Sequence, residues 1–165
     1  RSNLIEEGID LSIRITHRLE PGDILRKLGQ SRLLTVASPA YLTAHKKPKH
    51  PHDLVDHACL VYSQEFQSTT WAFRSKNEAI HVNIRPRMAA NSGDALLHAA
   101  RQGLGITRPP DFMAKPYLDQ GSIVPILGKF EPEPLGVYAV LPSNRYIPHR
   151  VSFLMDFIAD HLATR

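Results

Sequence analysis

Residues 8–15 alternate cleanly, with Ile9, Leu11, Ile13 and Ile15 on one side and Asp10, Ser12 and Arg14 on the other. Period two over that length predicts a half-buried strand. Residues 33–37 form a nearly continuous apolar run instead, the pattern of a strand buried on both faces of a parallel sheet. That run stops at Ser38-Pro39. A serine hydroxyl suits the N-cap of a helix, and proline suits the first helical position, where its missing N–H costs nothing, so residues 40–44 begin a helix.

Residues 46–53, interrupted by Pro48 and Pro51, predict a loop. Weaker strand signals follow at 59–62, 71–73 and 81–88. A helix is predicted over 91–102: Asn91 can cap it, Asp94 sits in its first turn, Ala95, Leu96, Ala99 and Ala100 form the apolar stripe, and Gly103 ends it. A short strand at 105–107 precedes a helix opened by Pro110 and closed by Gly121. Strands are predicted at 123–127 and 137–141. The last helix, 149–162, places Val151, Leu154, Met155, Ile158 and Leu162 at spacings of three, one, three and four, which predicts their burial. Strands alternating with helices indicate an α/β fold with mainly parallel sheets.

At 165 residues the chain suits one ordinary domain or two small lobes. Its 42% hydrophobic and 22% charged content is that of a globular protein. No apolar run is long enough to cross a bilayer as a helix. The opening Arg-Ser-Asn and the acidic Glu6-Glu7 do not make a signal peptide, and they read as part of a helix end whose natural start lies upstream. The net charge of +4 permits an acidic partner, yet the cations are scattered apart from Lys46-Lys47-Pro48-Lys49, which reads as a solvated loop. The single cysteine, Cys59, excludes an internal disulfide and fits a reducing compartment.

Catalytic chemistry finds little footing. There is no Gly-x-Ser-x-Gly, no Cys-x-x-Cys and no phosphate loop. Cys59, two residues after His57, reads as a plain buried cysteine rather than half of a thiolate pair. His45, His50, His52 and His57 crowd one loop, but no second tight ligand pair accompanies them, so neither a metal nor another cofactor is expected. Polar groups at helix starts are more informative, because free N–H groups there attract anions. Ser38 and the Asn91-Ser92 pair both qualify, although capping alone explains each. Arg14 and Arg108 are candidate fixed cations for a carboxylate, with a rim salt bridge and simple exposure as the respective alternatives. Trp71, the one tryptophan, is assigned to lobe core.

In this order the motifs resemble those of the LysR-type transcriptional regulators. Gly8-Ile-Asp-Leu-Ser-Ile-Arg-Ile-Thr16 is similar to the family's "D-x-x-x-R" strand, and Leu34-Thr-Val-Ala-Ser-Pro-Ala-Tyr-Leu42 to its crossing segment. Pro51-His-Asp-Leu54 with His57-Ala-Cys59-Leu60 resembles "P-x-D-L-x-x-H-x-C-L", Trp71-Ala-Phe73 resembles "W-x-F", and Gly103-Leu-Gly-Ile106 resembles "G-x-G-I". The likeness covers residues 8–162. It departs at Arg108 and Pro109, where the family usually shows a plain apolar residue and a leucine.

The resemblance implies an effector-binding domain of α/β class: two Rossmann-like lobes joined by two crossing strands, like type 2 periplasmic binding proteins. Lobe I would comprise 1–38 and 135–165, lobe II 39–134. Lobe I would be incomplete at its N-terminal side, exposing apolar edges that pair with another copy or leave the segment poorly folded. A small anionic metabolite would occupy the cleft between lobes, with Arg14 and Thr16 on one side, Ser38 at the hinge, Asn91 and Ser92 on the far lobe, and Arg108 and Pro109 at the floor. The whole protein would be a cytoplasmic homo-oligomer, dimer or tetramer, touching DNA only through a winged helix-turn-helix outside this chain. It would have no catalytic role, no cofactor and no membrane partner. A solute-binding receptor of a transport system is the alternative on the same architecture.

Overall fold

The computed structural model describes residue 4 and residues 8–16, 24–62, 70–142 and 146–163. They group into two compact units, Arg1–Ser31 with Pro134–Arg165, and Arg32–Glu133. The first boundary falls at 31/32 rather than 38/39, because residues 35–37 pair inside the second unit.

In the first unit, strands β1 (Ser12–Thr16) and β2 (Ile24–Ser31) flank β9 (Leu135–Leu141), both antiparallel to it. Helix α4 (His149–Ala163) covers one face. Val137, Ala139 and Leu141 alternate onto that face and pack with Val151 and Met155. Leu28 enters the same core, and the bulge between Lys27 and Gly29, which adds a residue to β2, keeps Gly29 on that side too, under Leu162. The buried stripe of α4 is therefore 151–155–158–162. Leu154, expected inside, is 46% exposed, since it stands one position off that stripe. Ile13 is 42% exposed although Leu11 and Ile15 pack as expected.

The second unit is built on a central sheet. β3 (Thr35–Ala37) pairs antiparallel with β8 (Val124–Ile126), and β4 (Ala58–Tyr62) pairs parallel with β7 (Arg85–Ala90). Residues 106 and 107 join the two halves through single bridges: Val36 to Thr107 antiparallel and Cys59 to Ile106 parallel. A hairpin of β5 (Thr70–Ser75) and β6 (Glu78–Asn83), helix α1 (Pro39–His45) and a 3-10 helix at Pro51–Asp56 lie over one face, closing a core of Tyr41, Leu54, Cys59, Val61, Trp71 and Phe73. Helices α2 (Gly93–Arg101) and α3 (Asp111–Asp119) cover the other face through Leu34, Val36, Leu60, Leu96 and Leu97.

Three expectations need correction. The sheets are mainly antiparallel, with β4–β7 the one parallel pair among the named strands; β3 has the burial expected of a parallel strand because layers cover both its faces, whatever its direction. The strand read at 81–88 is two, broken at Ile84. The N-cap of α2 is Ser92, whose Oγ accepts from the Ala95 N–H, rather than Asn91.

Candidate functional site

Strand direction decides which candidate residues meet. β4, β7 and residues 106–107 run the same way, so their carboxyl ends share one edge of the second unit's sheet. Asn91 and Ser92 follow β7 there, and Arg108 and Pro109 follow Thr107. β3 runs oppositely, so its start lies at this edge and the Leu34 N–H donates to the Pro109 carbonyl at 3.0 Å. Carboxyl ends of strands are where open α/β sheets hold ligands.

Arg108 is half-buried. It alternates from Ile106 onto the hairpin face, where its guanidinium lies 4.7 Å from the Phe73 ring centre and 5.3 Å from that of Trp71, and Nη2 donates to the Ala72 carbonyl at 2.8 Å. Trp71 thus serves the core, as expected, and also supports this cation. Cys59 lies beneath. Burial pushes its thiol up to about 12 despite the opposing charge of Arg108, so it stays protonated and is no nucleophile.

Ser38 sits at the opposite edge. It is 2% exposed, and its Oγ accepts from the Tyr41 N–H at 3.1 Å. The expected N-cap is present, and its hydroxyl is spent on the helix. Around it, the Tyr41 hydroxyl accepts from the Ala58 N–H and shares a hydrogen bond with His57 Nδ1, each at 3.0 Å, while His45 stacks on the Tyr41 ring at 4.3 Å. Burial, then the nearby His45, hold His57 below its ordinary 6.5, against a smaller opposing pull from Asp53 and Asp56. The unfolded chain therefore takes up this proton first. Stability from His57 should be whole above pH 6.5 and drain away as pH falls through the lower folded value. Urea midpoints measured from about pH 7.5 to about pH 5 should drop in the wild type and drop less in His57→Gln. The carboxyl of Asp53, lowered by N–H donors of His50 and Lys49, acts only below its ordinary 3.8, outside this window.

The remaining loop histidines stack on one another, His50 on His52 at 5.2 Å, and His50 Nδ1 accepts from the His52 N–H. Among the described residues no group of three or more His, Cys, Asp or Glu side chains could hold a metal ion. Arg14 and Thr16 belong to the first unit, both on the sheet face turned away from α4. The sequence reading missed Tyr138, the cross-strand partner of Arg14 on that face, Lys27 beyond it on β2, and the hairpin that holds Arg108.

The LysR substrate binding domain profile matches residues 2–163. An uncharacterized HTH-type transcriptional regulator of Haemophilus influenzae is 31% identical over 150 residues, 91% of this chain and 52% of its own length. The HTH-type transcriptional regulator PtxR of Pseudomonas aeruginosa is 30% identical, covering 98% of this chain and 52% of PtxR. The chain thus spans about half the length of the curated relatives it matches. The regulatory domain of CrgA, a LysR-type regulator of Neisseria meningitidis, superposes with a TM-score of 0.83 at 28% identity over 97% of this chain and 78% of that domain. Full-length AphB of Vibrio cholerae gives 0.77 at 28% identity, over 94% of this chain and 52% of AphB. These neighbours carry the type 2 periplasmic-binding-protein-like α/β fold, and none of the four is an enzyme by name. No helix among the described residues is long and apolar enough to cross a membrane. The chain belongs to the LysR substrate-binding domain family.

Proposed function

We propose that this domain senses a small anionic metabolite for a DNA-binding regulator, with Arg108 as its principal anchor in the second unit. The observation that carries this reading is the position of Arg108, a half-buried cation on an aromatic platform at the carboxyl edge of the sheet, the same edge at which the exposed Asn91 and Ser92 open α2. Helix N–H groups and a fixed guanidinium at one sheet edge both favour an anion. Asn91, Ser92, Arg108 and Pro109 are the candidate ligand contacts of this unit, and Arg14 and Thr16 those of the first. Ser38 is left as a cap. Ligand binding shifts the balance between two domain arrangements, and homo-oligomer contacts carry the shift to a winged helix-turn-helix outside this chain. The whole regulator works in the cytoplasm. The named relatives are regulators, which favours this reading over a transport receptor.

A thermal-shift screen of small carboxylates and phosphate esters, repeated on Arg108→Gln, tests it. The ligands that stabilise the wild type should lose about tenfold or more in affinity, the scale of one charge-assisted contact. Equal affinity in the variant would remove Arg108 from the site.

A further inference from the structure

Large apolar side chains left exposed are not spread evenly over the described residues. Ile13, Val55, Tyr62 and Leu104 are scattered, whereas Tyr146, Phe153, Leu154 and Phe157 fall together on α4 or just before it. Phe153 is 67% exposed and Phe157 61%, with Leu154 between them. One turn further on, His161 stacks on Phe157, with ring centres 6.3 Å apart and planes 12° from parallel. At 3.6 residues per turn this row lies roughly 130° around the helix from the buried stripe 151–155–158–162. So α4 carries two apolar stripes. One stripe suffices for a helix that covers a sheet and shows water its polar side, and a second fits a helix packed on two sides.

The second stripe has the size and the polarity of a self-complementary surface. Its two phenylalanines and leucine expose on the order of 300 Å² of side chain, the scale of apolar patches at which soluble proteins meet partners. A stable dimer buries roughly 800 Å² per partner, so this patch matches the apolar centre of an interface, with the flanks of α4 as its rim. The two ends of the stripe differ. Its start is Arg150, exposed and joined to Asp10 by a surface ion pair at 3.3 Å, a contact weak enough to be exchanged. Its end is the stacked Phe157–His161 pair, and a guanidinium is attracted to an aromatic face. A second α4 laid antiparallel, with the two-fold axis between Leu154 and Phe157, sets Leu154 of each copy against Phe157 of the other. The same register brings Arg150 of each copy over the other's Phe157–His161 pair. A parallel copy would instead set guanidinium against guanidinium and align the helix dipoles.

We infer that α4 is a self-association surface, through which two copies of this chain pair by antiparallel α4 helices around Phe153, Leu154 and Phe157. The inference rests on the effector-sensing reading for its homo-oligomer and goes beyond it by naming the surface.

Sedimentation equilibrium of the intact chain between about 1 and 500 μM tests it, with a dissociation constant on the order of 10 μM expected from a patch of this size. Phe153→Gln and Phe157→Gln should each weaken association at least tenfold, and Arg150→Gln severalfold. Phe157→Leu should retain it, and so should Tyr62→Gln in the second unit. Because Phe153 and Phe157 are exposed, urea midpoints of these variants should match the wild type. Spin labels on Ala163→Cys, with Cys59 buried and unlabelled, should lie more than about 20 Å apart across antiparallel helices, against about 10 Å for parallel ones. A chain that stays monomeric at the highest concentration overturns the proposal and leaves the stripe to a partner of another kind. A dimer that persists in both glutamine variants, or labels about 10 Å apart, overturns it as well. None of these outcomes alters the Arg108 screen, which decides the effector reading by itself.

Discussion

Gly105→Ala is expected to lower the stability of the second unit by about 3–5 kcal/mol, at the upper end of single-residue effects. A Cβ at Gly105 would lie 2.4 Å from the Ala58 carbonyl oxygen, 3.0 Å from its carbon and 3.2 Å from the Ala58 Cβ. No rotamer relieves this, because the obstacle is backbone at the start of β4, and the same carbonyl accepts from the Ile106 N–H at 2.9 Å. The chain at 105–107 would have to back away from β4. That loosens Ile106 from Ala58 and Leu60, and the Thr107 hydroxyl from the Leu60 carbonyl, and these contacts join the β3 and β4 halves of the sheet. Urea unfolding of Gly105→Ala beside Gly128→Ala provides the contrast, since a Cβ at Gly128 meets nothing within 4 Å. The Gly128 variant should stay within about 1 kcal/mol of wild type. A similarly small change at Gly105 would mean that the 105–107 segment is not held against β4.

Local chemistry made part of this architecture readable in advance. Ser38-Pro39 signals a helix start within two residues, and the cap forms as expected. Gly103, at a φ of 79°, ends α2 where the apolar stripe runs out. β2 escaped notice for an equally local reason. Its apolar residues keep no period of two: Leu25 stands opposite Val140 on the far face, Arg26 takes the α4-side position opposite Ala139, and the bulge puts Gly29 on the same side as Leu28, so the segment Ile24–Ser31 shows no apolar alternation.

The candidate site was legible as residues but not as geometry. Ser38 and Asn91-Ser92 look alike in sequence, each a polar group at a helix start. Only strand direction separates them, and direction depends on pairing between distant segments: Val36 runs against Thr107, Cys59 runs with Ile106. Ser38 therefore lands at the amino edge of β4 while Ser92 and Arg108 land at the carboxyl edge. Arg108 likewise stands 36 residues from the carbonyl that accepts from it.

The hairpin that supplies this carbonyl carries the second large effect. Phe73→Ala is expected to cost about 3–5 kcal/mol, the range for truncating a buried phenylalanine. Phe73 is 2% exposed and shares its core with Leu54, Cys59, Val61, Trp71, Val82 and Ile106, so the hairpin, α1 and the central sheet would all border the resulting cavity. The guanidinium of Arg108, 4.7 Å above the ring, would also lose its support. A double-mutant cycle with Arg108→Gln separates the two contributions. Coupling of about 0.5–1 kcal/mol is expected from the stacking, with the remainder of the loss belonging to packing. Strict additivity would show that the ring does not hold Arg108. A loss below about 1.5 kcal/mol in Phe73→Ala itself would place the hairpin outside the cooperative core. If both effects appear, the packed aromatic surface helps to hold Arg108 in place. That part of its hold should resist added salt, since contacts sheltered from water are screened far less than exposed ion pairs.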